Sequence, residues 1–169
     1  MKITVTAVVA VLAYANTALA HCMICVPGGD RIELINRLDR IPFLIANGAK
    51  TAEYQYVRRN TNYNSPVTNV QSTDIRCNIG GLASASSTSV QDVAAGSTVG
   101  FALDQAIFHP GPINVYLSKA PGNVQQYDGS GQWFKISQLG ATFSTGKMSW
   151  PADNIVQYTF KIPAATRKF

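Results

Sequence analysis

The chain has 169 residues, 46% of them apolar and 14% charged, with a formal net charge of +5. That is one domain's worth of sequence, and so small a charged fraction excludes a coiled coil, a long disordered tail and a nucleic-acid binder built on Lys/Arg clusters. Mean hydropathy is +0.04, and past the start no apolar run reaches the ~18 residues of a membrane span, which excludes a polytopic membrane protein.

In chain order, residues 1–20 read as a secretory signal peptide. Lys2 is followed by an apolar stretch from Ile3 to Ala15, and Ala18-Leu19-Ala20 puts small residues at the cleavage position. An N-terminal membrane anchor is the alternative, although the apolar run is short for a bilayer. Cleavage after Ala20 makes His21 the first residue of a single mature domain, 21–169, exported from the cell. Its cysteines are then Cys22, Cys25 and Cys77. An odd number in an oxidising compartment means a free thiol, an intermolecular bridge or a missing partner. The positive excess is scattered over Arg58, Arg59, Lys119, Lys135 and Lys147, apart from a terminal Arg167-Lys168 pair. It reads as a solvated surface with no nucleic-acid partner.

The stretch from Asp30 to Arg40 carries six charges in eleven residues. Ile32, Ile35 and Leu38 recur at three-residue spacing, and Asp30 with Glu33 has capping-box spacing, so a short amphipathic helix is expected near 31–40. Segment 22–40 is unlike everything after it in composition. From Ile41 onward the pattern is that of short strands: 54–58, 88–93, 98–103, 113–117, 132–136 and 156–162. Pro110-Gly111-Pro112, Pro121-Gly122-Asn123 and Asp128-Gly129-Ser130-Gly131 mark turns between them, and the Ser/Thr run at 84–89 reads as a hairpin loop. Short strands with regular turn signals predict an all-β antiparallel sandwich.

The chain has two histidines, His21 and His109. An N-terminal histidine offers its α-amino nitrogen and its imidazole to one metal ion. A second imidazole completes a three-nitrogen set suited to copper. Zinc takes the same atoms, and a histidine beside a Pro-Gly-Pro turn is also an ordinary loop residue. Cys22-Met-Ile-Cys25 offers a rival redox or metal site but lacks the βαβ context of a thioredoxin-like motif. A local disulfide, or a bridge from one of the pair to Cys77, is the simpler reading. No Ser/His/Asp order, glycine-rich phosphate loop or His-Glu-x-x-His motif is present, so no catalytic residue beyond the metal ligands is singled out. Tyr54, Tyr56, Tyr63, Tyr127, Trp133 and Trp150 are suited to stacking on sugar rings or, at strand spacing, to the core.

Residues 41–163 resemble the fungal lytic polysaccharide monooxygenases of auxiliary activity family nine, formerly glycoside hydrolase family sixty-one. The resemblance is carried by Phe43-Leu-Ile-Ala-Asn-Gly48, Tyr56-Val-Arg58, Asn64-Ser-Pro-Val-Thr68 and Asp74-Ile-Arg-Cys-Asn78. It continues through His109-Pro-Gly-Pro112, Val115-Tyr-Leu-Ser-Lys-Ala-Pro121, Asp128-Gly-Ser-Gly131, Trp133-Phe-Lys-Ile136 and Phe160-Lys-Ile-Pro163. It implies an immunoglobulin-like β-sandwich with a flat copper face and one copper ion held by His21 and His109. It also implies a cellulose or other β-1,4-glucan substrate, and an electron donor such as cellobiose dehydrogenase or a small reductant. The expected protein is a secreted monomer with no membrane partner.

Two departures from the family pattern define further expectations. The segment 22–40 stands where the family runs directly from its first histidine into Phe-x-x-Leu, as translated intron would. After Pro163 the family continues with its last strands, an axial tyrosine, a neighbouring histidine and glutamine, and the half-cystine that pairs with Cys77. The expectation is therefore a sandwich shortened at its C-terminus. The alternative function is a non-catalytic module that binds polysaccharide or copper, or a fragment without function.

Overall fold

Alternation decides the central strands. In Ile113–Ser118 the residues Ile113, Val115 and Leu117 fall on one face of an extended chain and all three are buried. Thr98–Ala102 places Val99 and Phe101 inward, and Phe43–Ala46 does the same with Leu44 and Ala46. The structure, a computed structural model, describes residues 22–26, 31–36, 41–63, 65, 67–69 and 71–165. The proposed signal peptide and His21 lie outside the described residues.

Ten strands occur among the described residues: β1 (Cys22–Val26), β2 (Arg31–Asn36), β3 (Phe43–Ala46), β4 (Ala49–Lys50), β5 (Thr98–Ala102), β6 (Ile113–Ser118), β7 (Trp133–Leu139), β8 (Thr142–Ser144), β9 (Lys147–Ser149) and β10 (Gln157–Lys161). They form one sheet in the order β10-β5-β3-β4, a second in the order β1-β2-β6-β7, and the small hairpin β8-β9. Every pairing is antiparallel. The two larger sheets enclose one core, in which Leu44, Val99, Phe101 and Phe160 of the first sheet meet Ile113, Val115 and Leu117 of the second. Phe101 and Phe160 stack with ring centroids 6.0 Å apart. The all-β sandwich is as the sequence indicates.

Several local expectations are overturned. The helix expected near 31–40 is instead strand β2 over Arg31–Asn36. Its register sets Ile32 opposite Leu117 and Leu34 opposite Val115. The alternating Ile32 and Leu34 match buried partners on β6, and sheet pairing outweighs the weaker three-residue spacing. Residues 54–58 are no strand: the Tyr54 amide bonds the Pro42 carbonyl at 2.7 Å, and Tyr54 sits at φ +54°. Of 88–93 only Val93 makes a bridge, and the expected loop at 84–89 holds the 3-10 turn Ala85–Ser87. Short hydroxyl side chains bonding nearby carbonyls, such as Thr88 to Ser84 at 2.9 Å, favour such turns over strands.

Arg58, expected on the solvated surface, is buried. The local bridge within Cys22-Met-Ile-Cys25 is excluded by the extended backbone of β1. Residues three apart on a strand have Cα atoms ~10 Å apart, beyond the ~7 Å limit of a disulfide.

Candidate metal centre and substrate face

His109 sits on the bend that leads into β6. Pro110 confines the His109 backbone to extended conformations. Two residues upstream, buried Ile107 is fixed from both sides: its amide donates to the Ile155 carbonyl at 3.0 Å, and its carbonyl accepts from the Asn154 amide at 2.8 Å. The imidazole is half-buried with both ring nitrogens shielded from water. The ring of Phe108 lies edgewise against it, with centroids 5.5 Å apart and planes at 80°. A histidine so held presents a fixed nitrogen donor.

The sheet register relates this bend to the start of β1. Leu34 pairs with Val115, so β2 runs toward the His109 end of β6 and finishes there at Asn36. Cys22, which opens β1, pairs with Asn36. The start of β1 and the start of β6 therefore share one end of the sheet. Among the described residues no three His, Cys, Asp or Glu side chains form a metal-binding group. The imidazole of His109, its two nitrogens shielded from water, is a donor of the kind that suits copper.

The aromatic candidates divide by burial. Tyr127 is buried, and Tyr54, Tyr56 and Trp133 pack against the core. Tyr63 is 69% exposed, and it lines an open cleft of about 220 Å³ together with Glu53, Tyr54, Arg59, Asn60 and Thr61. The Arg59 guanidinium lies 4.7 Å from the Tyr54 ring centroid and covers it.

Sequence reading missed Arg58. Its Nη2 donates to the Val124 carbonyl at 3.0 Å and the Tyr127 carbonyl at 2.8 Å, and its Nη1 donates to Cys77 Sγ at 3.6 Å. This buried cation ties the turn Val124–Gln126 to Cys77. One of two adjacent arginines in the run Val57-Arg58-Arg59-Asn60 carries no sign of burial in the sequence; its place in a stretch shared with the family is the only clue. Asp128 follows that turn. The Ser130 side chain, aided by its amide at 3.0 Å from Oδ1 and by Arg76 Nη1 at 2.6 Å from Oδ2, holds the Asp128 carboxyl below the usual carboxylate range, against a smaller opposing effect of burial.

The sequence profile of Auxiliary Activity family 9 (formerly GH61) matches residues 40–168. The chain belongs to this family. It is 47% identical over 121 residues to AA9 family lytic polysaccharide monooxygenase E of Podospora anserina, covering 72% of this chain and 40% of the relative. Over 127 residues it is 40% identical to monooxygenase C of Emericella nidulans, with 73% and 55% covered. Over 129 residues it is 43% identical to monooxygenase H of Malbranchea cinnamomea, again with 73% and 55% covered. The chain spans about half the length of the curated relatives it matches. His109, Arg58 and Cys77 lie inside the family match; His21, Cys22 and Cys25 lie outside it.

Proposed function

We propose that the protein is a secreted copper-dependent monooxygenase of polysaccharide, acting on cellulose or a related β-1,4-glucan with electrons from an external reductant. The observation that carries the reading is His109, fixed at the same sheet end as the start of β1, in a chain of this family. In this reading residues 1–20 are removed on export, and 21–169 is one domain that works as a monomer. His21 would contribute its amine and imidazole, and His109 its imidazole. When bound, copper would supply the one-electron redox chemistry.

The chain's own part is one of positioning. Pro110 and the Ile107 bonds hold the backbone that carries His109, so that little main-chain reorganisation is needed on metal binding. Phe108 packs against the ring in a T-shaped contact. Phe108 is itself 58% exposed, and this ring and Tyr63 offer apolar faces to a sugar chain. A small, scattered positive charge suits a neutral glucan.

The test uses protein beginning at His21, titrated with Cu(II) by calorimetry and electron paramagnetic resonance, then given cellulose and ascorbate. A nitrogen-ligated signal and release of oxidised oligosaccharides are expected. His109→Ala should weaken copper binding by more than the ~100-fold that loss of even an outer-shell partner can cost. Unchanged affinity in that variant would overturn the two-histidine assignment. A wild-type copper signal without oxidised products would leave a binding module in place of an enzyme.

A further inference from the structure

Cys77 is buried and disulfide-bonded. The chain's other cysteines are Cys22 and Cys25, both on β1, and β1 lies against the 3-10 turn Thr73–Arg76 that ends at Cys77. The register separates the two by face and by level along the strand. Ile24 and Val26 stand opposite Leu34 and Ile32, which stand opposite Val115 and Leu117 of the core. Cys22 shares their parity and so falls on the core side of the sheet. Cys25 stands opposite Glu33, itself opposite Tyr116, on the other side.

Contacts within the body link Cys77 to the Ser118 end of that other side. Ser118, two residues along β6 from Tyr116, has its hydroxyl 2.7 Å from the Tyr127 hydroxyl. The Tyr127 carbonyl accepts from Arg58, and Arg58 reaches Cys77 Sγ. This chain of contacts leads from the Ser118 end of the outer face to Cys77. Cys25 lies toward that end, whereas Cys22 starts β1 at the Ile113 end.

We propose that Cys25 and Cys77 form the disulfide, which fastens the hairpin β1-β2, outside the family match, to the body inside it, and that Cys22 keeps its thiol. The two thiols lose two protons and two electrons as the S–S bond forms. A low-molecular-weight or protein disulfide accepts them by exchange and leaves as two thiols. The bridge fixes the hairpin along the 52 positions that separate Cys25 from Cys77, and with it the start of β1. The proposal does not depend on the copper reading.

The full chain is folded in a glutathione buffer, alkylated without reduction, cut with cyanogen bromide at Met23 and with trypsin, and mapped by mass spectrometry. Cleavage at Met23 is what separates the two β1 cysteines. The expected result is fragment 24–31 joined to fragment 77–119, with the alkyl label on Cys22 in fragment 3–23. Fragment 3–23 joined to 77–119, fragment 3–23 joined to 24–31, or label on all three cysteines would each overturn it. Cys22→Ser should retain the joined pair and leave no thiol to alkylate; loss of the joined pair there counts against the proposal. The wild-type map stands even where a variant folds poorly.

Discussion

The two large sheets face one core but differ in origin. All four strands of β10-β5-β3-β4 lie within the stretch matched by the family profile, 40–168. In β1-β2-β6-β7, half of the strands lie outside it. Strand β6 is the template in the second sheet. Its buried Val115 and Leu117 take as partners Leu34 and Ile32, from a segment with no counterpart in the match. The difference teaches that a place beside a strand requires apolar residues of the right parity and a free edge, and does not require family sequence.

If the first sheet is the less tolerant half, the largest effect should come from its centre. Gly100 lies on β5 between Thr159 and Ile45. A Cβ there would meet the Tyr158 carbonyl oxygen and, at 2.7 and 2.9 Å, two atoms of Thr159. Gly100→Ala should therefore cost at least about 3 kcal/mol in urea unfolding, the upper range of overpacking effects. A loss under about 1 kcal/mol would show that β5 and β10 can part without harm. In the second sheet the matching probe is Glu33→Pro. Strand β2 has neighbours on both sides, so a proline there must remove a ladder bond. About 1–3 kcal/mol should be lost, with hydrogen exchange quickening in β6 while β5 and β10 stay protected. Equal loss of protection in β5 would make the two sheets one unit and end the contrast.

The same contrast explains what could be read in the sequence. Strands β5, β6 and β10 are legible because each has the apolar alternation of a wall facing one core. Strand β7 shows itself by its aromatic and β-branched start alone, its core-facing Trp133, Ile136 and Leu139 being three residues apart across a register shift. Strand β2 is not legible, because Ile32, Ile35 and Leu38 satisfy a helical spacing as well as Ile32 and Leu34 satisfy a strand, and only a partner decides between them. Residues 54–58 show the reverse error: Tyr54 and Tyr56 alternate, but a left-handed backbone at Tyr54 turns the chain. The β8-β9 hairpin is exposed along its length and left no apolar signature to find. At the candidate site, His109 stands out in the sequence as one of two imidazoles, whereas the burial of Arg58 depends on carbonyls 66 and 69 residues away.

Arg58 offers a subtler test, because it joins the family body to the sulfur that meets the hairpin. Arg58→Met keeps much of the volume and removes the donors, leaving the Val124 and Tyr127 carbonyls to find others. A loss of about 2 kcal/mol in urea unfolding is expected. If the change is below about 0.5 kcal/mol, those carbonyls have other donors and Arg58 does not hold the turn.

The smallest effect comes from the opposite side of that turn, where Arg76 reaches Asp128 from the surface. The Asp128 carboxyl is held below its ordinary range, first by the Ser130 side chain. The unfolded chain thus takes up this proton at a higher pH than the folded one. The bond's contribution is complete above the ordinary carboxylate range and fades as pH falls through the lowered folded value. Asp128→Asn should therefore melt below the wild type at pH 7, and the gap should close in acid. The pair is half exposed, 27% and 51% for the two side chains, so the gap amounts to a few tenths of a kcal/mol. Salt should shrink only the Arg76 part, because the Ser130 bonds are local and uncharged on the donor side. A gap that widens in acid would reverse the sign, and would mean that Asp128 is held protonated by burial and not ionised by its donors.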